Sequence, residues 1–191
     1  MPKTKHKPIA APVLNYEDKK LAAKEVLNSL FETYLYIYWG KNGKTAEDSI
    51  PDVLMKKALR IAVLDATLVH LRALDTFFST SNKKDSDDMR ATDFGFALPE
   101  RRILRKATRD SINSQIAHLN WSRPKGEKSF RVIEGCIRAL ECSVGFFEHL
   151  LATFFMKSDA AYASYEATVL KLKKLHADFV KENPPSADDG E

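Results

Sequence analysis

Little in this chain is built for cross-linking, tight turning or crossing a membrane. Its 191 residues include only two cysteines and seven glycines. Two cysteines, Cys136 and Cys142, exclude a disulfide-stapled scaffold. Six residues apart on a helix, they point about 120° away from each other at ~100° per residue. Two buried thiols in a reducing compartment are therefore expected. Scarce glycine disfavours a turn-rich β protein, and many Ala, Leu, Lys and Glu residues favour helices. No apolar run approaches the ~18 residues of a membrane span. The stretch MPKTKHKPIAAPV is basic but lacks the apolar centre of a secretory signal. A cytoplasmic protein without membrane contact is expected.

Recognisable catalytic motifs are scarce too. A bundle-type metal site draws on Glu-x-x-His pairs, and no such pair occurs, so no metal is expected. No glycine-rich phosphate-binding fingerprint and no serine nucleophile elbow stand in the sequence. No cofactor is expected.

What is present is helical periodicity. Hydrophobic residues make up 44% of the chain and charged residues 29%, the balance of a soluble globular protein. Apolar residues recur at three- and four-residue steps over residues 17–39, 49–79, 99–120, 128–155 and 160–181. The first stripe runs through Leu21, Val26, Leu27 and Leu30, then an aromatic group that includes Tyr34, Tyr36, Tyr38 and Trp39. The second runs from Leu54, Ala58 and Ile61 to Leu74 and Phe78, with Asp48 or Ser49 as its cap and Pro51 in its first turn. Residues 80–98 read as a long loop pinned by Phe94 and Phe96. The fourth stripe is apolar nearly all round, as suits the centre of a bundle or an oligomer interface. The expected fold is all-α, an antiparallel bundle of four to five helices over residues 16–182. A flexible basic arm (residues 1–15, rich in proline and lysine) and an acidic tail (residues 183–191) flank it.

Two segments carry candidate chemistry. In HLRALDTFF, residues 70–78, Arg72 and Asp75 are three apart and can pair on a helix. His70 falls on the neighbouring leucine face. The bland reading is a hydrogen-bonded core histidine beside a solvated charge pair. In RDSINSQIAHLNWSR, residues 109–123, His118 shares one helix side with Ser111, Ser114 and Gln115, while Arg109, Asn113 and Asn120 share another. His118 and Asn113 point about 140° apart at ~100° per residue. A site there has to recruit another helix, the following turn or a second subunit. Its bland reading is a helix end stopped by Pro124, with Trp121 packed.

Charge sharpens the second segment. Residues 99–131 hold nine Lys or Arg against Glu100, Asp110 and Glu127, whereas the whole chain has a net charge of +4. Arg101, Arg102, Arg105 and Lys125 fit a phosphate-binding footprint, and Trp121 fits base stacking.

HLRALDTFF followed by NSQIAHLNWSR is similar to a pattern of small helical bacterial proteins. More distantly, a bundle with a helix-borne His near Arg and Asn resembles the HEPN group, the higher-eukaryote and prokaryote nucleotide-binding domains. That signature is an arginine, usually followed by a polar residue, then four to six residues, then histidine. Here eight residues separate Arg109 from His118, and Asn113 stands at the four-residue position. The resemblance implies a helical dimer of a bacterial toxin–antitoxin or phage-defence system that binds RNA. It implies metal-independent ribonuclease chemistry with His118 as acid or base, Arg109 or Arg123 on the phosphorane charge, and Asn113 orienting phosphate. His70, Arg72 and Asp75 would support them. The alternatives are a non-catalytic regulatory or antitoxin-like subunit that uses its apolar helix faces on a partner protein, and a small-molecule sensor.

Overall fold

The computed structural model describes residues 15–30, 52–79, 89–115 and 132–184. Among these residues the chain is all-α, with no strand. Helix α1 covers residues 16–30, α2 is Val53–Phe77, α3 is Lys106–Gln115, α4 is Val132–Thr153 and α5 is Ala160–Glu182. Residues 1–14 of the basic arm, the aromatic group at residues 34–39 and the last residues of the acidic tail lie outside the described residues.

Two of the starts have a local cause. Asn15 and Asp18 hydrogen-bond reciprocally, each side chain accepting from the other's backbone N–H at 2.9 Å, which is a capping box for α1. Asp52 caps α2 by accepting from the N–H groups of Leu54 (2.7 Å) and Met55 (2.9 Å). That moves the cap from the expected Asp48 or Ser49, which lie outside the described residues. Between α4 and α5, Asp159 accepts from the Met156 N–H at 2.8 Å, tightening the turn over residues 154–159. Asn183 closes α5 by donating to the Phe179 carbonyl from its backbone and its side chain, each at 3.0 Å.

Helix α4 is the centre. It packs along α5 and against α2, and α2 also packs against α3. The apolar fourth stripe is therefore buried within the chain itself, through Val132, Cys136, Ala139, Leu140, Phe146, Phe147 and Leu150. Phe146 is fully buried and meets Phe77, Phe78, Phe94 and Phe96 edge-on at centroid distances of 5.1 to 5.9 Å. Phe94 and Phe96 thus pin their segment to the body as expected. Part of that segment is ordered into a 3₁₀ turn, Ala91–Phe94, closed by Gly95 at φ 71°, where L side chains are strained. Arg90, only 4% exposed, donates to the Thr76 carbonyl and to Ser79 Oγ, joining this turn to the end of α2. Residues 80–88 lie outside the described residues.

At the other end of α4, Gly135 allows a close approach. A Cβ there would stand 3.2 Å from Leu104 and 3.3 Å from Leu71. Leu104 belongs to a stretch where the sequence expectation fails. Residues 99–105 were expected in the third helix, but the helix begins at Lys106. Ile103 and Leu104 are each 2% exposed. They enter the core from an irregular segment whose backbone groups are satisfied by side chains. The Leu104 N–H donates to Asp75 Oδ1 at 3.0 Å, and Arg138 Nη1 donates to the Arg102 carbonyl at 3.1 Å. Helical periodicity is also broken on the outer surface, since Leu21, Leu54 and Ile61 are exposed.

Candidate functional site

Asp75 is the deepest charged group among the described residues, at 1% exposure. Its place on α2 turns it under the segment 99–105, where Oδ1 accepts from Leu104. Around Oδ2 stand three guanidinium groups. Arg109 Nη1 of α3 lies at 3.6 Å, Arg72 Nη1 of α2 at 3.7 Å and Arg102 Nη1 at 4.0 Å. None of these distances is a hydrogen bond. Asp75 Oδ2 and Arg109 Nη1 are both buried and have no hydrogen-bond partner.

A second ionic group adjoins the first. Glu134 Oε1 of α4 meets Arg138 Nη2 at 2.6 Å and Arg105 Nη2 at 3.2 Å, and Arg105 Nε also donates to it at 3.2 Å. Arg138 then ties this group to the first through the Arg102 carbonyl. Five arginines from α2, α3, α4 and the segment 99–105 thus converge on two carboxylates.

Burial disfavours the charge on Asp75. Burial pushes the Asp75 carboxyl above its ordinary range, and this outweighs the pull of the Leu104 N–H and the nearby Arg109 and Arg72 charges. Desolvation of a buried carboxylate commonly exceeds the attraction it recovers. Buried ionisable groups of this kind, partnered by charges and perturbed by burial, occur at functional sites and in structural ion-pair networks alike.

The two halves of the sequence reading separate here. Arg72 and Asp75 do lie at pairing distance on one helix. The pair is not solvated, however, because Asp75 is buried, and His70, expected near the core, is only half-buried. Arg102 and Arg109 join Asp75, and Arg105 joins Glu134 instead. Arg101 is exposed, and Asn113 lies in α3. His118, Trp121, Arg123 and Lys125 lie outside the described residues, as does the side chain of Asn113. Sequence reasoning missed Glu134 and Arg138, whose spacing of four on a helix was an available signal. It also missed His149, whose Nε2 stands 2.7 Å from the Phe94 carbonyl and whose ring lies edge-on to Phe96 and Phe154. As donor to that carbonyl, Nε2 carries the ring proton.

Cys136 and Cys142 are free, buried thiols, as expected, and burial pushes both up to about 12. Among the described residues, no group of three His, Cys, Asp or Glu could hold a metal ion. No described helix is long and apolar enough to cross a membrane. Gly43-Lys44-Thr45 repeats the last three residues of a phosphate loop, but Tyr38 occupies the place of that loop's first glycine. These residues lie outside the described ones. Comparison with protein-family models, curated proteins and solved structures finds no match to this chain.

Proposed function

We propose that this chain is a cytoplasmic, HEPN-like helical protein that binds RNA through its arginine-rich corner. The observation that supports the reading most is the convergence of Arg72, Arg102 and Arg109 on one buried carboxylate. Burying this carboxylate carries a desolvation cost, as functional sites often do, and guanidinium groups match phosphate. The exposed Arg101 and Lys106 beside it extend the basic surface for steering a polyanion. The resemblance places such a protein in a bacterial toxin–antitoxin or phage-defence system. Its ribonuclease version assigns His118 as acid or base, with Arg109, Asn113 and Arg123 on the phosphate.

The test is titration of the full chain into labelled single-stranded RNA at rising salt. Binding at ~50 mM salt that weakens steeply towards ~200 mM is expected. No binding at the lower salt would overturn the proposal. The ribonuclease version further requires cleavage of total RNA in EDTA that is lost in His118→Ala. Equal cleavage by both proteins would remove His118 from the mechanism.

A second reading, a non-catalytic subunit, draws on a different surface. The first half of α2 leaves Val53, Leu54 and Met55 61% to 77% exposed, and Ile61 is 46% exposed. Such a run of apolar side chains is a contact surface for a second copy or a partner protein. Light scattering decides this reading: a dimer that Leu54→Glu converts to monomer supports it, and a wild-type monomer that co-purifies with nothing contradicts it.

A further inference from the structure

The ionic corner contains a mismatch that its own residues leave open. Arg109 Nη1 and Asp75 Oδ2 are buried and 3.6 Å apart, and neither makes a hydrogen bond. Arg102 Nη1 stands 4.0 Å from the same oxygen, on the more exposed side, with 37% of its side chain open to solvent against 17% for Arg109. Arg72 Nη1, 3.7 Å from the same oxygen, donates to Thr76 Oγ1, so three guanidinium groups share one carboxylate oxygen and none is within hydrogen-bond distance of it. Native proteins seldom leave a buried N–H without an acceptor. Arg102 and Arg109 both stand within 4.0 Å of one atom, and each keeps part of its side chain open to solvent.

We propose that Arg102 and Arg109 form a single seat for one phosphate of a single-stranded RNA backbone. The inference rests on the RNA-binding reading above and adds to it which residues share one phosphate. A phosphodiester supplies unprotonated oxygens that accept from both planar forks at once. The more exposed outer end of the seat is Arg102, and the more buried inner end is Arg109 of α3.

Sharing a phosphate has a measurable signature. Each phosphate neutralised on a single strand adds about 0.7 to the slope of log affinity against log salt. Two arginines on one phosphate contribute that amount once. The experiment measures the slope for wild type, Arg102→Gln, Arg109→Gln and the double variant, with labelled single-stranded RNA and Lys174→Gln as a surface control. Circular dichroism melting checks that each variant is folded, and Arg109→Met replaces Arg109→Gln where the glutamine variant does not fold. The expected result is a slope lowered by about 0.7 in either single variant and by the same amount in the double variant. Each single variant should bind about tenfold more weakly, and the double little more so. A double variant whose slope falls by about twice that amount would assign the arginines to separate phosphates and overturn the seat. Unchanged slopes in all variants would overturn it as well, while leaving RNA binding by the chain standing. Failure of wild type to bind RNA would overturn the broader reading and the seat with it.

Discussion

The two halves of α4 face different chemistry. Its C-terminal half carries Phe146 and Phe147 into a buried aromatic cluster with Phe77, Phe78 and Phe94. Its N-terminal half carries Glu134 and Arg138 into the ionic corner around Asp75 and Leu104. The first region is held by non-directional burial, which needs only apolar residues of about the right size. The second is held by a few directed bonds and loses free energy to desolvation. The aromatic end carries most of the apolar burial, and the proposed RNA binding rests on the ionic end.

The largest expected effect breaks the aromatic end. Phe146→Ala should cost about 4 kcal/mol of unfolding free energy, read from urea denaturation, because the cavity lies in the middle of five rings. A loss below about 1 kcal/mol would mean that the cluster is not the core. At the ionic end, Asp75→Ala should cost less, about 2 kcal/mol, chiefly by leaving the buried Leu104 N–H without an acceptor.

Asp75→Asn separates charge from hydrogen bonding, since the carboxamide oxygen still accepts from Leu104. The folded carboxyl is raised above its ordinary 3.8, so the folded state holds the proton more tightly than the unfolded one. Asp75 therefore contributes stability that is present at low pH and is lost as pH rises through the folded value. The Asn variant should gain on wild type between pH ~4 and pH ~7 in urea denaturation. A wild type that gains on the variant over that range would show that the arginines dominate burial.

A smaller effect lies away from both ends. Asp52→Ala should cost about 1 kcal/mol, as the two N–H groups it caps return to water. The thiols sharpen the comparison without changing stability. Cys136 and Cys142, pushed up to about 12, should resist a thiol reagent in the native state and react at once in denaturant. Rapid native reaction of Cys142 would place it at an open part of the corner.

The aromatic end was legible because packing follows period. Phe146, Phe147 and Leu150 recur at helical steps, and Phe94 and Phe96 stand out in a polar loop. The all-α class follows from the same signal. The ionic corner was legible only in pieces. Arg72 and Asp75 are neighbours on one helix, but the burial of Asp75 depends on the segment 99–105, which lies 29 residues further along at Leu104. That segment looked helical because Ile103 and Leu104 suit a helix stripe. It is irregular because its backbone takes side-chain partners from two other helices. Period carries no trace of such long-range polar partners. The same limit explains Leu54 and Ile61, which fit the stripe of α2 and yet face outward.

The claim that the ionic corner serves binding more than folding has a direct measurement in Arg102→Gln, read for RNA affinity and urea midpoint on one preparation. Arg102 is partly exposed, so its ion pair with Asp75 contributes roughly 0–1 kcal/mol to stability. The account predicts about tenfold weaker binding to single-stranded RNA with the midpoint almost unmoved. Unchanged affinity with a clearly lowered midpoint would contradict it and make the corner a structural device.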